Sequence, residues 1–248
     1  MDLIRGCHKA HGSRIRAYAR YRGMLAKTDP IDARLLAEFG LQTKDLRLYR
    51  PPRPEQAGLR RFKSRRDDIQ QLLQAEKNRL EYTDDKVVAA SIDAVVKTLE
   101  RQLARIEAEI AAPIDSDGEL GTRARLLTSV IGIGRIATVT LLADLPELGR
   151  LMRGEAAMLT GLAPINKDSG QARAPRRIEA GRAQVRRCLY MAAVVAIRHN
   201  PILSAFAKRL TQDGKPFKVV ITAVMRKLIV ILNAIMRDRQ PWKHAKTA

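Results

Sequence analysis

Six apolar residues, Ile92, Val95, Leu99, Leu103, Ile106 and Ile110, recur at intervals of three or four along a charged segment that runs to Ala112. That spacing places them on one face of a helix. The segment before it, from about Pro54 to Leu80, carries Leu59, Phe62, Ile69, Leu72, Leu73 and Leu80 in the same way. Tyr82-Thr83-Asp84-Asp85 separates the two, with Thr83 or Asp84 placed to cap the second helix. The pattern predicts an antiparallel helical hairpin with arms of roughly 40 Å at 1.5 Å per residue. Such stripes are too long to leave in water. A coiled-coil interface that joins protomers answers this; a solvated spacer is the alternative reading.

Two linkers flank that hairpin. LYRPPRPEQ (Leu48 to Gln56) reads as an extended, proline-rich linker. Pro113 to Gly121 reads as a second one. From about Thr122 a compact helical domain is predicted. Two apolar helices meet there at Gly132-Ile133-Gly134, a turn similar to a helix-hairpin-helix, whose backbone N–H groups can bind phosphate. A tight packed turn between core helices has the same residues. Further helices are expected over about 182–198 (Val185, Leu189, Ala192, Val195, Ala196), over 202–210, and from Pro216 to Pro241 (Val220, Val224, Leu228, Ile231, Leu232, Ile235). Lys215, Lys218, Arg226 and Lys227 lie beside or off that last apolar stripe.

Charge sets the class of partner. Lys and Arg number 46 against 26 Asp and Glu, a formal charge of +20. Such an excess favours nucleic acid, or else an anionic membrane. Aromatic residues make up only 4%, too few for base-stacking platforms to be the main binding device. No run approaches the ~20 apolar residues of a spanning helix, and no membrane partner is expected. Cys7 and Cys188 are too few for a disulfide framework or a zinc site. A cytoplasmic, nucleoid-associated protein fits these features.

Two stretches carry candidate chemistry. In AKTDPIDARLLAEFG, Thr28 or Asp29 serves as N-cap, Pro30 opens the helix, Leu35, Leu36 and Phe39 form its buried stripe, and Gly40 stops it. Asp29 and Asp32, three apart, lie on one face at the helix start. They suit either a shared divalent cation or simple capping. In GLAPINKDSGQARAPRRIEAGRAQVRRCLYM (Gly161 to Met191), Ser169 stands between Asp168 and Gly170. Lys167, Arg173, Arg176, Arg177, Arg182, Arg186 and Arg187 surround it in sequence. Arginines of this kind can stabilise the charge that builds when a serine attacks phosphorus. Asp-Ser-Gly is equally an ordinary turn, whose serine satisfies its own backbone.

Two blocks resemble the DEDD-type insertion-sequence transposases, the insertion-sequence one-ten family, which includes bridge-RNA-guided recombinases. One is RIRAYARYRGMLAKTDPIDARLLAEFG. The other spans Arg125 to Trp242 and includes LLTSVIGIGRIATVTLLADLPELG, GLAPINKDSG, RRIEAGRAQVRRCLYMAA and GKPFKVVITAVMRKLIVILNA. The resemblance implies an RNase H-like domain with an Asp-Glu-Asp-Asp site for Mg²⁺, then a coiled coil, then a C-terminal transposase domain. On this chain these correspond to residues 1–47, 48–115 and 120–248, a mainly α architecture. The last two aspartates of the quartet correspond to Asp29 and Asp32, and the nucleophile to Ser169. DNA and a structured guide RNA are the implied partners, with homo-oligomers formed through the hairpin.

The chain departs from that pattern at its N-terminus. Only 28 residues precede Asp29, and Asp2 is their sole acidic member. The resemblance therefore implies an N-terminally truncated member with an incomplete metal site. Two functions are expected from it: a recombinase inactive by itself, or a DNA-binding regulator of full-length transposases.

Overall fold

The computed structural model describes residues 8, 10–24, 26, 28–44, 49, 51, 53–165, 177–178 and 180–242. Its described residues are mainly α-helical, as the periodicities predict, with one pair of two-residue strands. The chain divides into two compact units, Met1–Pro52 and Arg53–Ala248.

The first unit is a helical pair, α1 (Gly12–Tyr21) and α2 (Asp29–Gln42). The expected helix from Arg14 begins two residues earlier, because the His11 side chain caps it by accepting from the Ser13 N–H. Thr28, rather than Asp29, caps α2 through the Ile31 N–H. Ala19, Leu35 and Phe39 are buried, and Tyr18 packs edge-on to Phe39 with ring centroids 5.5 Å apart. Two expectations fail here. Leu36 is exposed, since the inward stripe follows Leu35 and Phe39, four apart. Gly40 does not stop α2, which continues to Gln42, where Tyr18 Oη donates to Gln42 Oε1 at 2.7 Å.

The second unit opens with the hairpin, α3 (Pro54–Glu81) and α4 (Lys86–Asp115). Its arms are about 42 and 45 Å long at 1.5 Å per residue. Asp85 is the cap, accepting from the Val87 and Val88 N–H groups at 2.8 and 2.9 Å. Thr83 instead donates back to the Arg79 carbonyl. The inward positions are Leu59, Ile69, Leu73, Val96, Ile110 and Ile114, while Leu72 and Val95 of the predicted stripes point outward. The second linker is shorter than expected. Helix α4 runs through Pro113 in its last turn because Ile110 and Ile114 are drawn into the core, so only residues 116–118 join it to α5 (Glu119–Thr128).

The compact part is built on α10 (Phe217–Asp238). Around it pack α5, α7 (Arg153–Leu159), α8 (Ala183–His199) and α9 (Pro201–Gln212). Helix α6 (Arg135–Asp144) lies on α3, α5 and α8. Contrary to expectation, α10 does reach the length and apolarity of a membrane span, with a mean hydropathy of 2.1 over eighteen residues. Its apolar face, from Val220 to Met236, is nevertheless buried in the core. Asn233, buried among these residues, accepts from the Gly149 N–H and donates to the Leu151 carbonyl, and so ties the α6–α7 connection to α10. Helices α8 and α9 meet at 93°. Asn200 at the bend accepts from the Leu203 N–H and donates to the Ile131 carbonyl.

Candidate nucleic-acid interface

Ser169, Lys167, Arg173 and Arg176 fall outside the described residues. What the structure does describe is the chain on either side of residues 166–176. Strand β1 (Pro164–Ile165) pairs antiparallel with β2 (Arg177–Ile178), in the register Pro164 to Ile178 and Ile165 to Arg177. Below this pair the two segments come so close that neither Gly161 nor Gly181 could carry a Cβ without overlap. Gly161 and Gly181 face each other, both with positive φ (66° and 70°). A Cβ on Gly181 would overlap the Gly161 amide nitrogen, and a Cβ on Gly161 would overlap the Ala180 carbonyl oxygen. Ala180 itself adopts φ 61°, a left-handed conformation that costs an alanine about 1 kcal/mol or more. The Arg182 N–H closes the neck by donating to the Leu159 carbonyl at 2.8 Å.

The arginines after the neck divide by what they touch. Arg182 grips Glu147 with both terminal nitrogens at 2.6 Å and also donates to the Asp144 carbonyl at 2.8 Å. Burial would raise the Glu147 carboxyl, but the Arg182 hydrogen bonds and charge outweigh it and hold the group below its usual value. On the other side, the hydrogen bond to Glu147 raises Arg182 above the usual arginine value against the effect of burial. Arg186 donates to the Ala180 carbonyl at 2.6 Å. These two side chains brace the neck. Arg187 is exposed and makes no ion pair with a described carboxylate, which leaves its guanidinium open to solvent anions.

Four further basic residues lie at the α9–α10 end. Lys215, Lys218 and Arg226 are exposed. Lys227 sits over the Phe206 ring, 4.4 Å from its centroid, with Arg209 also near that ring at 5.5 Å. At the α5–α6 turn, Gly132 (φ 105°) lies against Ala192 and Ala196 of α8, where a Cβ would not fit. Its glycine is thus required by packing. Gly134 is the exposed N-cap of α6, with open space where a Cβ would point.

Between the hairpin and α6 lies a buried polar network that the sequence reading missed. Lys63 Nζ is 2.8 Å from both Asp67 and Asp144. Burial lowers the Lys63 ammonium, but hydrogen bonds to Asp144 and Asp67 overcome that and hold it above its ordinary value. Burial likewise pushes the nearby Cys188 thiol up to about 11, which makes it a poor nucleophile at neutral pH. A pocket of about 140 Å³ opens beside the network. Its cations are already paired, Arg66 with Glu107 and Arg135 with Asp115, so it offers little to an anion.

In the first unit, Asp29 and Asp32 both lie in the first turn of α2. Asp29 is exposed, and Asp32 is 3.7 Å from Arg16. Among the described residues, no group of three or more His, Cys, Asp or Glu side chains is placed to hold a metal ion.

Comparison with known proteins matches the same two regions. Residues 124–208 match the model described as Transposase IS116/IS110/IS902 family, and residues 8–83 match a second transposase model, the DEDD type of IS110. The pilin gene-inverting protein of Moraxella bovis is 30% identical over 240 residues, covering 92% of this chain and 71% of that protein. The chain belongs to the IS110 family of transposases. The Moraxella lacunata pilin gene-inverting protein matches to the same extent. The insertion element IS900 uncharacterized 42 kDa protein of Mycobacterium paratuberculosis is 29% identical over 167 residues, covering 62% of this chain and 40% of that protein.

Membership makes the chain a transposase, with DNA as its partner. The 124–208 match runs from the core of α5 to α9, and so includes the glycine neck, the Arg182–Glu147 pair and the serine stretch. The DEDD type implies a divalent metal. The described carboxylates do not suffice for one: Asp29 and Asp32 stand without a third ligand, and Arg16 already approaches Asp32.

Proposed function

We propose that this transposase cuts and rejoins DNA through Ser169, presented on the loop that the glycine neck closes. The observation that carries this reading is the neck itself: two facing glycines, a strained Ala180 and a bidentate Arg182–Glu147 clamp fix both ends of a basic, serine-bearing loop. The serine oxygen attacks a backbone phosphorus, a P–O bond to deoxyribose breaks, and the departing oxygen takes up the proton that the serine gives up. The phosphodiester energy is kept in the serine ester, so rejoining needs no ATP. That the relatives invert a pilin gene agrees with such break-and-rejoin chemistry. Arg187, Lys215, Lys218 and Arg226, with the α6 N-terminus at Gly134, would hold DNA backbone and a structured guide RNA.

In this reading residues 1–47 represent part of an RNase H-like domain that contributes Asp29 and Asp32 to a Mg²⁺ site. A polypeptide of these 248 residues alone is then expected to bind DNA without recombining it, and to act in the cytoplasm on nucleoid DNA. The absence of a third ligand among the described residues also favours a second reading, a DNA-binding regulator that joins full-length transposases. The test is to trap covalent protein–DNA adducts on supercoiled plasmid carrying the element ends, with Mg²⁺ and guide RNA. A full-length relative supplies the complete acidic site. An adduct on this chain that vanishes in Ser169→Ala is expected. An adduct that persists in Ser169→Ala overturns the nucleophile, and no adduct under any condition selects the regulator.

The hairpin is the proposed oligomer contact. Leu72, Val87, Val88 and Val95 face outward on its arms, apolar area that a second copy would cover. Light scattering should give at least a dimer for the native chain and a lower mass for Val88→Lys with Val95→Lys. A native monomer at tens of micromolar would sink this assignment.

A further inference from the structure

Four arginines from separate parts of the second unit lie near enough for the charges of Arg53, Arg150 and Arg239 to act on Arg123, and none of them belongs to the stretch after Ser169. Arg53 precedes α3, Arg123 is on α5, Arg150 is in the α6–α7 connection and Arg239 follows α10. Arg123 is partly buried and donates to the Leu148 carbonyl at 3.3 Å. Arg239, in the left-handed conformation at φ 52°, is paired with Glu119. Arg53 and Arg150 are exposed and make no ion pair with a described carboxylate. Glu119 pairs with Arg239, and its charge also acts on Arg123 one turn along α5.

Such a cluster is unfavourable in the free protein. Burial first presses the Arg123 guanidinium below its usual value; Glu119 opposes this, and the charges of Arg150, Arg53 and Arg239 add to it. An arginine stays charged under these conditions, so the repulsion stands until an anion enters. Arg123 spends one hydrogen bond on Leu148, and most of its donors remain for a ligand. The scaffold beneath is firm. Gly149 (φ 96°) packs against Met236, and Asn233 grips the connection on either side of Arg150. Trp242, three residues after Arg239, is partly buried against the core.

We propose that Arg53, Arg123, Arg150 and Arg239 form a contact for the backbone phosphates of duplex DNA, additional to the arginines that follow the serine loop. The turn between Asp144 and Arg150 connects the two regions, since Arg182 holds its first residues and Arg123 holds Leu148. A duplex lying on the patch therefore leads toward the neck. This inference rests on the chain being a DNA-binding transposase.

The experiment measures affinity for a short duplex DNA across a range of salt for the full 248-residue chain. The variants are Arg123→Gln with Arg150→Gln, the exposed pair Arg53→Gln with Arg150→Gln, Arg187→Gln, and Arg105→Gln on the outer arm of the hairpin as a charge control. Each lost phosphate contact lowers the slope of log K against log salt by about 1. Both patch doubles should lose about 2 from the slope and ~tenfold in affinity at moderate salt, while Arg105→Gln leaves the slope unchanged. Inorganic phosphate should raise the Tm of the native chain more than that of the Arg123→Gln, Arg150→Gln chain. A patch that keeps its slope while Arg187→Gln loses some overturns the patch and leaves the DNA-binding reading standing. Unchanged slopes in both overturn both assignments. Loss of affinity for a hairpin RNA with the duplex-DNA slope intact overturns DNA as the occupant. Should Arg123→Gln not fold, the exposed double decides alone.

Discussion

Replacing Lys63 with methionine is expected to destabilise the Arg53–Ala248 unit by about 3 kcal/mol, a fall in Tm of about 8 °C for a unit of this size. The Lys63 side chain is 9% exposed and that of Asp144 is 14% exposed. Removing the ammonium strands the Asp144 carboxylate beside apolar α6 and α8, where the ion pair left among the described residues is with Arg60, 3.8 Å away and mostly in water. A lone buried charge costs more than the pair contributes, so Asp144→Leu added to Lys63→Met should return most of the loss. The pH dependence follows from the raised Lys63 value. A group held above its ordinary 10.5 contributes fully below that pH and loses its contribution as pH rises through the higher folded value. The gap between the native chain and Lys63→Met should thus stay constant around neutral pH and narrow in strong alkali. Thermal melts of the single and double variants decide it: equal Tm values for the native chain and Lys63→Met would show that the hairpin is not held to α6 by this pair.

The hairpin arms, α9 and α10 were legible because long helices repeat one signal many times. Stripes at three- and four-residue spacing survive an error at any one position, as Val95 and Leu72 show: both point outward while their neighbours Val96 and Leu73 face in. Helix ends rest on single hydrogen bonds and were less legible. Asp85 took the cap expected at Thr83 or Asp84, and Pro113 fell inside the helix it was expected to end. The α10 case turns on context. Its composition satisfies a membrane span, and only the helices packed around it make it a core element.

The site was legible as composition and not as geometry. Seven basic residues around Ser169 marked the stretch, yet charge density does not say which cations are already paired. Arg182 is paired with Glu147, 35 residues away in sequence, and only the fold brings them together. The signal for Glu147 was present as one of two carboxylates, with Asp144, in the mostly apolar LLADLPELG. Arg123 carried no signal at all, because its meaning depends on three other arginines contributed by distant segments.

Gly181→Ala should destabilise the second unit by about 3 kcal/mol or more, whereas Gly214→Ala should cost only about 1 kcal/mol. The two glycines share one backbone conformation, φ 70° and 72°, so left-handed strain is the same for both. Their surroundings differ. Nothing lies within 4 Å of a Cβ on Gly214, while one on Gly181 would overlap the Gly161 backbone. The excess over Gly214→Ala therefore measures how tightly the neck is closed. Relief requires Gly161 and Gly181 to separate. That motion would pull on the Arg182 N–H bond to Leu159 and on the Pro164–Ile178 pairing above it. In the adduct assay with a full-length relative, Gly181→Ala should lose the Ser169 adduct at temperatures where the unit remains folded, while Gly214→Ala keeps it. Equal stability losses from urea unfolding of the two variants would mean that the neck yields freely and does not set the ends of the serine loop. An unequal loss with the adduct retained would separate the two roles, leaving the neck a packing device and the presentation of Ser169 to the arginines beyond it.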